Sequence, residues 1–224
     1  MLSDFISLFF PHYCTACKQA LAKGEKLICL SCFYQIPKTD SHLSGDNYIA
    51  TKFYGKIQLS HVFAFFKFER KGRVQKILHQ LKYGGKPELG EMLGQQYGEV
   101  LVSQQYEQAF DVVTAVPLHK SKQRRRGYNQ SEAFGRGLAQ SMGLPYMSMI
   151  KRIKNSATQT RRSRLNRWEN VSQVFEPTSP KIAGQRILLV DDVITTGATL
   201  ESCGLVLQQA GAKSVGIAAI AAAV

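Results

Sequence analysis

One stretch constrains the fold of this chain more than any other: Leu189-Val-Asp191-Asp192-Val-Ile-Thr195-Thr196-Gly197-Ala198-Thr199. The apolar run Arg186-Ile-Leu-Leu-Val190 that leads into it has the length and branching of a buried strand. Two adjacent carboxylates end the run, and a turn of Thr and Gly follows. Leu200, Cys203, Val206, Leu207 and Ala210 then recur at helical spacing, with Gly211 as the stop. In open α/β sheets, ligands sit beyond the carboxyl ends of such strands. Each residue type here has a separate task. Backbone N–H groups at a helix amino end, with Gly197 allowing close approach, form an anion site. Thr195, Thr196 and Thr199 add hydroxyl donors. A phosphate alone calls for no carboxylate, whereas Asp191 and Asp192 suit sugar hydroxyls or a divalent cation. The whole string describes a ribose phosphate site. A Thr-Thr-Gly turn alone would read as an ordinary strand, turn and capped helix.

The rest of the chain keeps the alternation. Residues 61–68 form an aromatic-rich strand, and Val74, Ile77, Leu78 and Leu81 share one face of a helix ended by Lys82-Tyr-Gly-Gly-Lys86. Pro87 opens a helical stretch over about 89–102. Asp111-Val-Val-Thr-Ala-Val116 is a buried strand closed by Pro117, and 131–142 is helical up to Gly143 and Pro145. Residues 215–223 close as a strand. The succession predicts an α/β fold with a mainly parallel sheet covered on both faces. Residues 37–47 read as a polar connector. The 224 residues suffice for one full core and a small appendage.

The appendage lies in front. Cys14-Thr-Ala-Cys17 and Cys29-Leu-Ser-Cys32 are separated by eleven residues, the arrangement of a tetrahedral Zn²⁺ site. Two disulfides or free thiols are the alternatives. Four protein ligands leave no open position, so the metal is expected to be structural. So short a module needs the metal for its folding energy. Lys18, Lys23 and Lys26 can offset the thiolate charge. His12 is not needed as a ligand, Cys203 reads as a small buried hydrophobe, and His61 and His79 have no partner legible in sequence.

The 29 basic and 16 acidic residues leave a net charge of +13. Such an excess predicts an anionic partner: nucleic acid, a membrane surface or a polyphosphorylated small molecule. No run approaches the roughly 20 apolar residues of a transmembrane helix. Residues 1–10 begin without Lys or Arg and carry Asp4, which argues against a secretory signal and for a cytoplasmic protein. Phe5, Leu8 and Phe9 give this segment an amphipathic helical face, to pack on the domain or lie peripherally at the inner membrane surface. Basic residues cluster at Lys120, Lys122 and Arg124 to Arg126, with Tyr128 near. A second cluster is Lys151, Arg152, Lys154, Arg161, Arg162, Arg164 and Arg167, beside Trp168. Both suit single-stranded nucleic acid or pyrophosphate, with solvated surface charge as the bland alternative.

The 189–199 string resembles the PRPP-binding motif of type I phosphoribosyltransferases. Val116-Pro-Leu-His-Lys120 resembles the first loop of that family, which holds pyrophosphate. Further motifs resemble the competence protein F (ComF/GntX) branch. They are Arg124-Arg-Arg-Gly-Tyr-Asn-Gln130 with Ser131-Glu132, and then Gln159-Thr160, Arg164, Arg167 and Asn170 before Phe175. The cysteine module placed in front resembles that branch too, and the likeness covers essentially the whole chain. It implies residues 1–45 as helix and zinc module and 46–224 as the phosphoribosyltransferase-like domain. It implies Asp191 and Asp192 as the catalytic pair, binding the ribose hydroxyls of PRPP and its Mg²⁺. Thr195, Thr196, Gly197, Ala198 and Thr199 would wrap the 5′-phosphate. Leu118, His119 and Lys120 would line the pyrophosphate, residues 158–170 would form a hood over the site, and the two basic clusters would stand in these two loops, facing the ligand.

The resemblance also implies a role in DNA uptake during natural transformation, with single-stranded DNA and a competence helicase as partners. If active, the chain is a pentosyl-type glycosyltransferase with an unknown acceptor, since no segment announces a nucleobase pocket. The alternative is a non-enzymatic DNA-binding or scaffold protein that senses PRPP. A true amidophosphoribosyltransferase carries a glutaminase domain with an N-terminal cysteine nucleophile. This chain opens with Met1-Leu2, so ammonia transfer from glutamine is not expected.

Overall fold

The computed structural model describes residues 11–44, 47–153 and 174–223. The amphipathic segment 1–10 lies outside the described residues. So do Lys154, Gln159, Thr160, Arg161, Arg162, Arg164, Arg167, Trp168 and Asn170.

In chain order the elements are α1 (Leu30–Gln35), β1 (Val62–Phe68), α2 (Arg73–Tyr83), α3 (Pro87–Val102), β2 (Val112–Ala115), α4 (Lys120–Arg126) and α5 (Gln130–Met142). After them come β3 (Ile150–Arg152), β4 (Phe175–Pro177), β5 (Arg186–Ile194), α6 (Ala198–Gln209) and β6 (Ser214–Ala223). Four strands form one parallel sheet in the order β1-β6-β5-β2, and β3 and β4 pair antiparallel beside it.

The expected parallel sheet is covered on both faces. Side chains alternate along each strand, so Leu188 and Val190 face α3 and α5, together with Val113, Phe134 and Leu138. Ile187 and Leu189 face the other way, into a cluster with Leu200, Cys203, Leu207 and Ile217. Cys203 is fully buried, as a small hydrophobe should be. On the first face α3 and α5 touch backbone to backbone. A Cβ on Gly137 would stand 2.0 Å from the Glu91 carbonyl oxygen, and one on Gly94 2.1 Å from that of Phe134. Only glycine permits that approach. The contact fixes α5, whose first turn carries Ser131.

Three expectations are corrected. First, β5 does not end at Val190: it runs through Ile194, paired with β6 up to Ala222. The small residues of β6 let this ladder continue. The β2 ladder stops earlier, at Ala115 opposite Val190, where Val116 donates its N–H to the Val190 carbonyl. Pro117 then has no N–H to extend it. Asp191 and Asp192 therefore stand in the strand, on its edge newly vacated by β2.

Second, residues 120–126 are a helix, α4, and not a loop. His119 caps it by accepting from the Ser121 N–H at 3.3 Å, and Gly127 at φ +82° ends it. Arg124, Arg125 and Arg126 fill its last turn, where positive charge favours the helix dipole.

Third, part of the 37–47 connector adds to the sheet. Lys67 N–H donates to the Pro37 carbonyl and Thr39 N–H to that of Phe65, so this segment covers the otherwise bare edge of β1. The Asn47 amide donates to the Val62 carbonyl and locks the far end. Through this junction Cys14, Cys29, Cys32 and Ile36 share one apolar cluster with Phe65, Phe66 and Ile77. No helix among the described residues is long and apolar enough to cross a membrane.

Candidate functional site

The carboxylate pair is held from three directions. Ser131 Oγ donates to Asp191 Oδ1 at 2.8 Å, and the Asp192 backbone N–H donates to the same oxygen at 2.8 Å. The Lys82 ammonium, in the last turn of α2, stands 2.9 Å from Asp192 Oδ2. Desolvation of the Asp191 carboxylate, and next the charge of Asp192, push its pKa up to about 7 against the pull of the Ser131 hydrogen bond. The Asp191 carboxylate thus stands in a poorly solvated notch, with one ammonium already drawn to its neighbour Asp192.

Beyond β5 the chain turns through Thr195 and Thr196, both exposed, to Gly197 at φ +80°. Gly197 is the N-cap of α6 and offers no side chain to its N–H groups, so they remain available to an anion. Ala198 N–H reaches the Thr196 hydroxyl at a long 3.4 Å. A Cβ on Gly197 would lie 2.7 Å from the ring of Phe53, a buried residue of the 3-10 turn Ala50–Phe53. The turn therefore needs glycine for both its backbone and its packing. Thr199 is exposed on the first turn of α6, beside Ala198.

The 118–120 segment is brought to the same place. It follows Val116, which is hydrogen-bonded to Val190 at 2.9 Å, directly before Asp191. Asn129 ties the two strands to α5: its amide donates to the Val116 carbonyl at 3.0 Å, and its oxygen caps α5 by accepting from Ser131 N–H at 3.1 Å. Leu118 and His119 are half-buried and Lys120 is exposed. On α4, Arg124 and Arg125 point to solvent while the Arg126 guanidinium stacks 5.3 Å from the Tyr83 ring centroid. Tyr128 is a packing residue whose hydroxyl donates to the Leu81 carbonyl.

Lys82 and Asn129 entered the sequence reading only inside longer stretches, with no role at the site, and Phe53 was not singled out. Lys82 left one trace, a cation in the final turn before Gly84-Gly85; Asn129 left another, an N-cap residue before a helical run. Nothing local marks Phe53, which meets Gly197 only through the tertiary fold.

The second site is the cysteine cluster. The sulfurs of Cys14, Cys17, Cys29 and Cys32 all lie within 4.8 Å of one another, and none of the four is in a disulfide. Cys17 and Cys29 Sγ are 3.8 Å apart. A tetrahedron with metal–sulfur bonds of about 2.3 Å has edges of about 3.8 Å, so the donor set fits one thiophilic ion. Cys29 N–H donates to Cys14 Sγ and Cys32 N–H to Cys29 Sγ, at 3.3 and 3.4 Å, which favours thiolates. His12 is not in the cluster.

Residues 129–223 match the phosphoribosyl transferase domain. The matched span holds Asn129, Ser131, the carboxylate pair and the 195–199 turn. The chain thus has a mixed α/β fold whose parallel β1-β6-β5-β2 sheet region matches that domain. The chain is 28% identical over 217 residues to competence protein F of Haemophilus influenzae, covering 96% of this chain and 86% of that one. It is 33% identical over 143 residues to the DNA utilization protein YhgH of Salmonella typhimurium, spanning 62% of this chain and 63% of that protein. It is also similar to the Bacillus subtilis glutamine PRPP amidotransferase at 23% identity and a TM-score of 0.42, over 61% of this chain and only 26% of that one. The protein is thus related to competence protein F and to the DNA utilization proteins, with a stretch that matches the phosphoribosyl transferase domain behind a four-cysteine cluster.

Proposed function

We propose that this protein binds PRPP with Mg²⁺ at the carboxyl end of β5, acts in DNA uptake, and holds Zn²⁺ on Cys14, Cys17, Cys29 and Cys32. One observation carries the reading: the Asp191–Asp192 pair stands in the same strand that leads, through Gly197, to the open amino end of α6. In this arrangement Asp191 and Asp192 accept from the ribose hydroxyls. Thr195, Thr196, Thr199 and the N–H groups of 197–199 take the 5′-phosphate. Leu118, His119 and Lys120 approach the pyrophosphate. Mg²⁺, when bound, neutralises pyrophosphate charge and makes it a better leaving group. If transfer occurs, the bond between ribose C1 and pyrophosphate breaks as C1 bonds to a nucleophilic atom of the acceptor, which gives up its proton to solvent, and the cations of α4 stabilise the departing anion. Functionally, residues 1–45 form the metal module and 46–224 the PRPP domain of a cytoplasmic protein.

A non-enzymatic role in single-strand binding is favoured by a separate observation, the row Lys120, Lys122, Arg124, Arg125 and Arg126 on α4 with Arg126 stacked on Tyr83. The test for PRPP is thermal unfolding with ligand. At a concentration about 100 times Kd, PRPP should stabilise by roughly 2.7 kcal/mol, and only with Mg²⁺ present. An unchanged midpoint with both present contradicts the reading.

A further inference from the structure

Of the ion pairs among the described residues, the one between Lys82 and Asp192 alone reaches the carboxylate pair of β5. The ammonium stands 2.9 Å from Asp192 Oδ2, and the two side chains are only 26% and 14% exposed. The helix turn that carries Lys82 is firmly held. Leu81 is fully buried, and its carbonyl accepts from the Tyr128 hydroxyl. The Tyr83 ring lies 5.3 Å from the Arg126 guanidinium and 4.9 Å from the His79 ring. Lys82 and Tyr83 thus join two parts of the site: Asp192, and the end of α4, the helix that leaves the 118–120 segment.

The inference rests on the PRPP reading. In the free protein the ammonium occupies the Asp192 oxygen that a sugar hydroxyl or a cation takes in that reading. Once that oxygen is taken, the ammonium loses its partner but stays in the notch, because its stem is rooted in a fixed turn. A partly buried charge left unpaired is costly. Asp191 is no ready substitute: its Oδ1 already accepts from Ser131 Oγ and the Asp192 N–H, and the ribose engages it too. The incoming anion is the partner that remains. In PRPP the two ring hydroxyls and the pyrophosphate share one face of the ribose. A flexible four-carbon stem can therefore swing from the carboxylate to a pyrophosphate oxygen.

We propose that Lys82 is an exchangeable latch: it holds Asp192 in the free protein and passes to the pyrophosphate when the ligand arrives. The two arrangements make cation entry depend on the ligand. Mg²⁺ alone meets an occupied carboxylate, whereas PRPP brings the anion that draws the ammonium away.

The test is isothermal titration on the full chain, with inorganic pyrophosphate in EDTA and with PRPP plus Mg²⁺. In EDTA, D192N frees the ammonium and should bind pyrophosphate about threefold or more tightly than wild type. K82M should then cost little in the wild-type background and at least about tenfold in the D192N background. With Mg²⁺, K82M should bind PRPP about tenfold more weakly, although the same change eases entry of Mg²⁺ alone, and K82R should recover part of the loss. K82M should keep the circular dichroism of wild type. The latch is overturned if D192N gives no gain, if K82M costs the same in both backgrounds, as a distant charge would, or if K82M binds PRPP as tightly as wild type. Absence of PRPP binding to wild type refutes the PRPP reading instead, and the pyrophosphate comparison then decides the role of Lys82 by itself.

Discussion

Replacing Gly197 by Ala tests the construction of the turn that leads from β5 into α6. Two costs follow from the structure. At φ +80° an L-residue occupies left-handed space, worth about 1–2 kcal/mol. The new Cβ would also meet two Phe53 ring atoms at 2.7 and 2.8 Å. Phe53 is 2% exposed and packed in the cluster of Leu200 and Ile49, so the ring has little room to withdraw. Overpacking of this kind costs about 1–3 kcal/mol. Against this, Ala reduces the freedom of the unfolded chain by about 0.4–1 kcal/mol. The net loss is about 1–5 kcal/mol, read from urea unfolding midpoints at an unchanged slope. A double-mutant cycle separates the two costs. With Phe53→Leu in the background, the clash is relieved and about 1–2 kcal/mol of backbone cost remains. A G197A loss below about 0.5 kcal/mol, or strictly additive effects with Phe53→Leu, would refute the argument.

Asp191→Asn should raise thermal stability at pH 8 and leave it nearly unchanged at pH 4. The folded pKa of about 7 stands above the ordinary 3.8, so the stability this group contributes is present below pH 4 and is lost as pH rises towards 7. A variant less stable than wild type at pH 8 contradicts this. Lys82→Met should raise the affinity of the ligand-free site for Mg²⁺ three- to tenfold, because the ammonium 2.9 Å from Asp192 competes with the cation; magnesium titration by calorimetry reads this, and weaker binding would count against it. Purified protein should carry about one zinc per chain by elemental analysis. Cys14→Ser should remove that zinc and lower the unfolding midpoint, since the cysteine cluster shares its core with Phe65 and Phe66; retention of the metal would refute the assignment.

Much of this was legible because local chemistry and tertiary role coincide. The face of α2 was readable from the spacing of Val74, Ile77, Leu78 and Leu81, all buried. The cysteine spacing foretold the cluster. Other features depend on partners remote in sequence. The extension of β5 past the carboxylates reflects the small residues of β6, and two acidic residues in a row read locally as the end of a strand. The 120–126 helix was hidden because its cap is a histidine, an uncommon N-cap, and its charge suggested a loop. The pairing of Lys82 with Asp192 spans over a hundred residues. The residues of the expected hood, 158–170, lie outside the described residues.

The central claim is that Asp191, Asp192 and the 195–199 turn form one PRPP site. Isothermal titration of PRPP, with and without Mg²⁺, tests it most directly on wild type and D191N/D192N. The account predicts saturable binding by wild type that requires Mg²⁺ and is lost in the double variant. Absence of binding to wild type, or equal binding by the double variant, would contradict it.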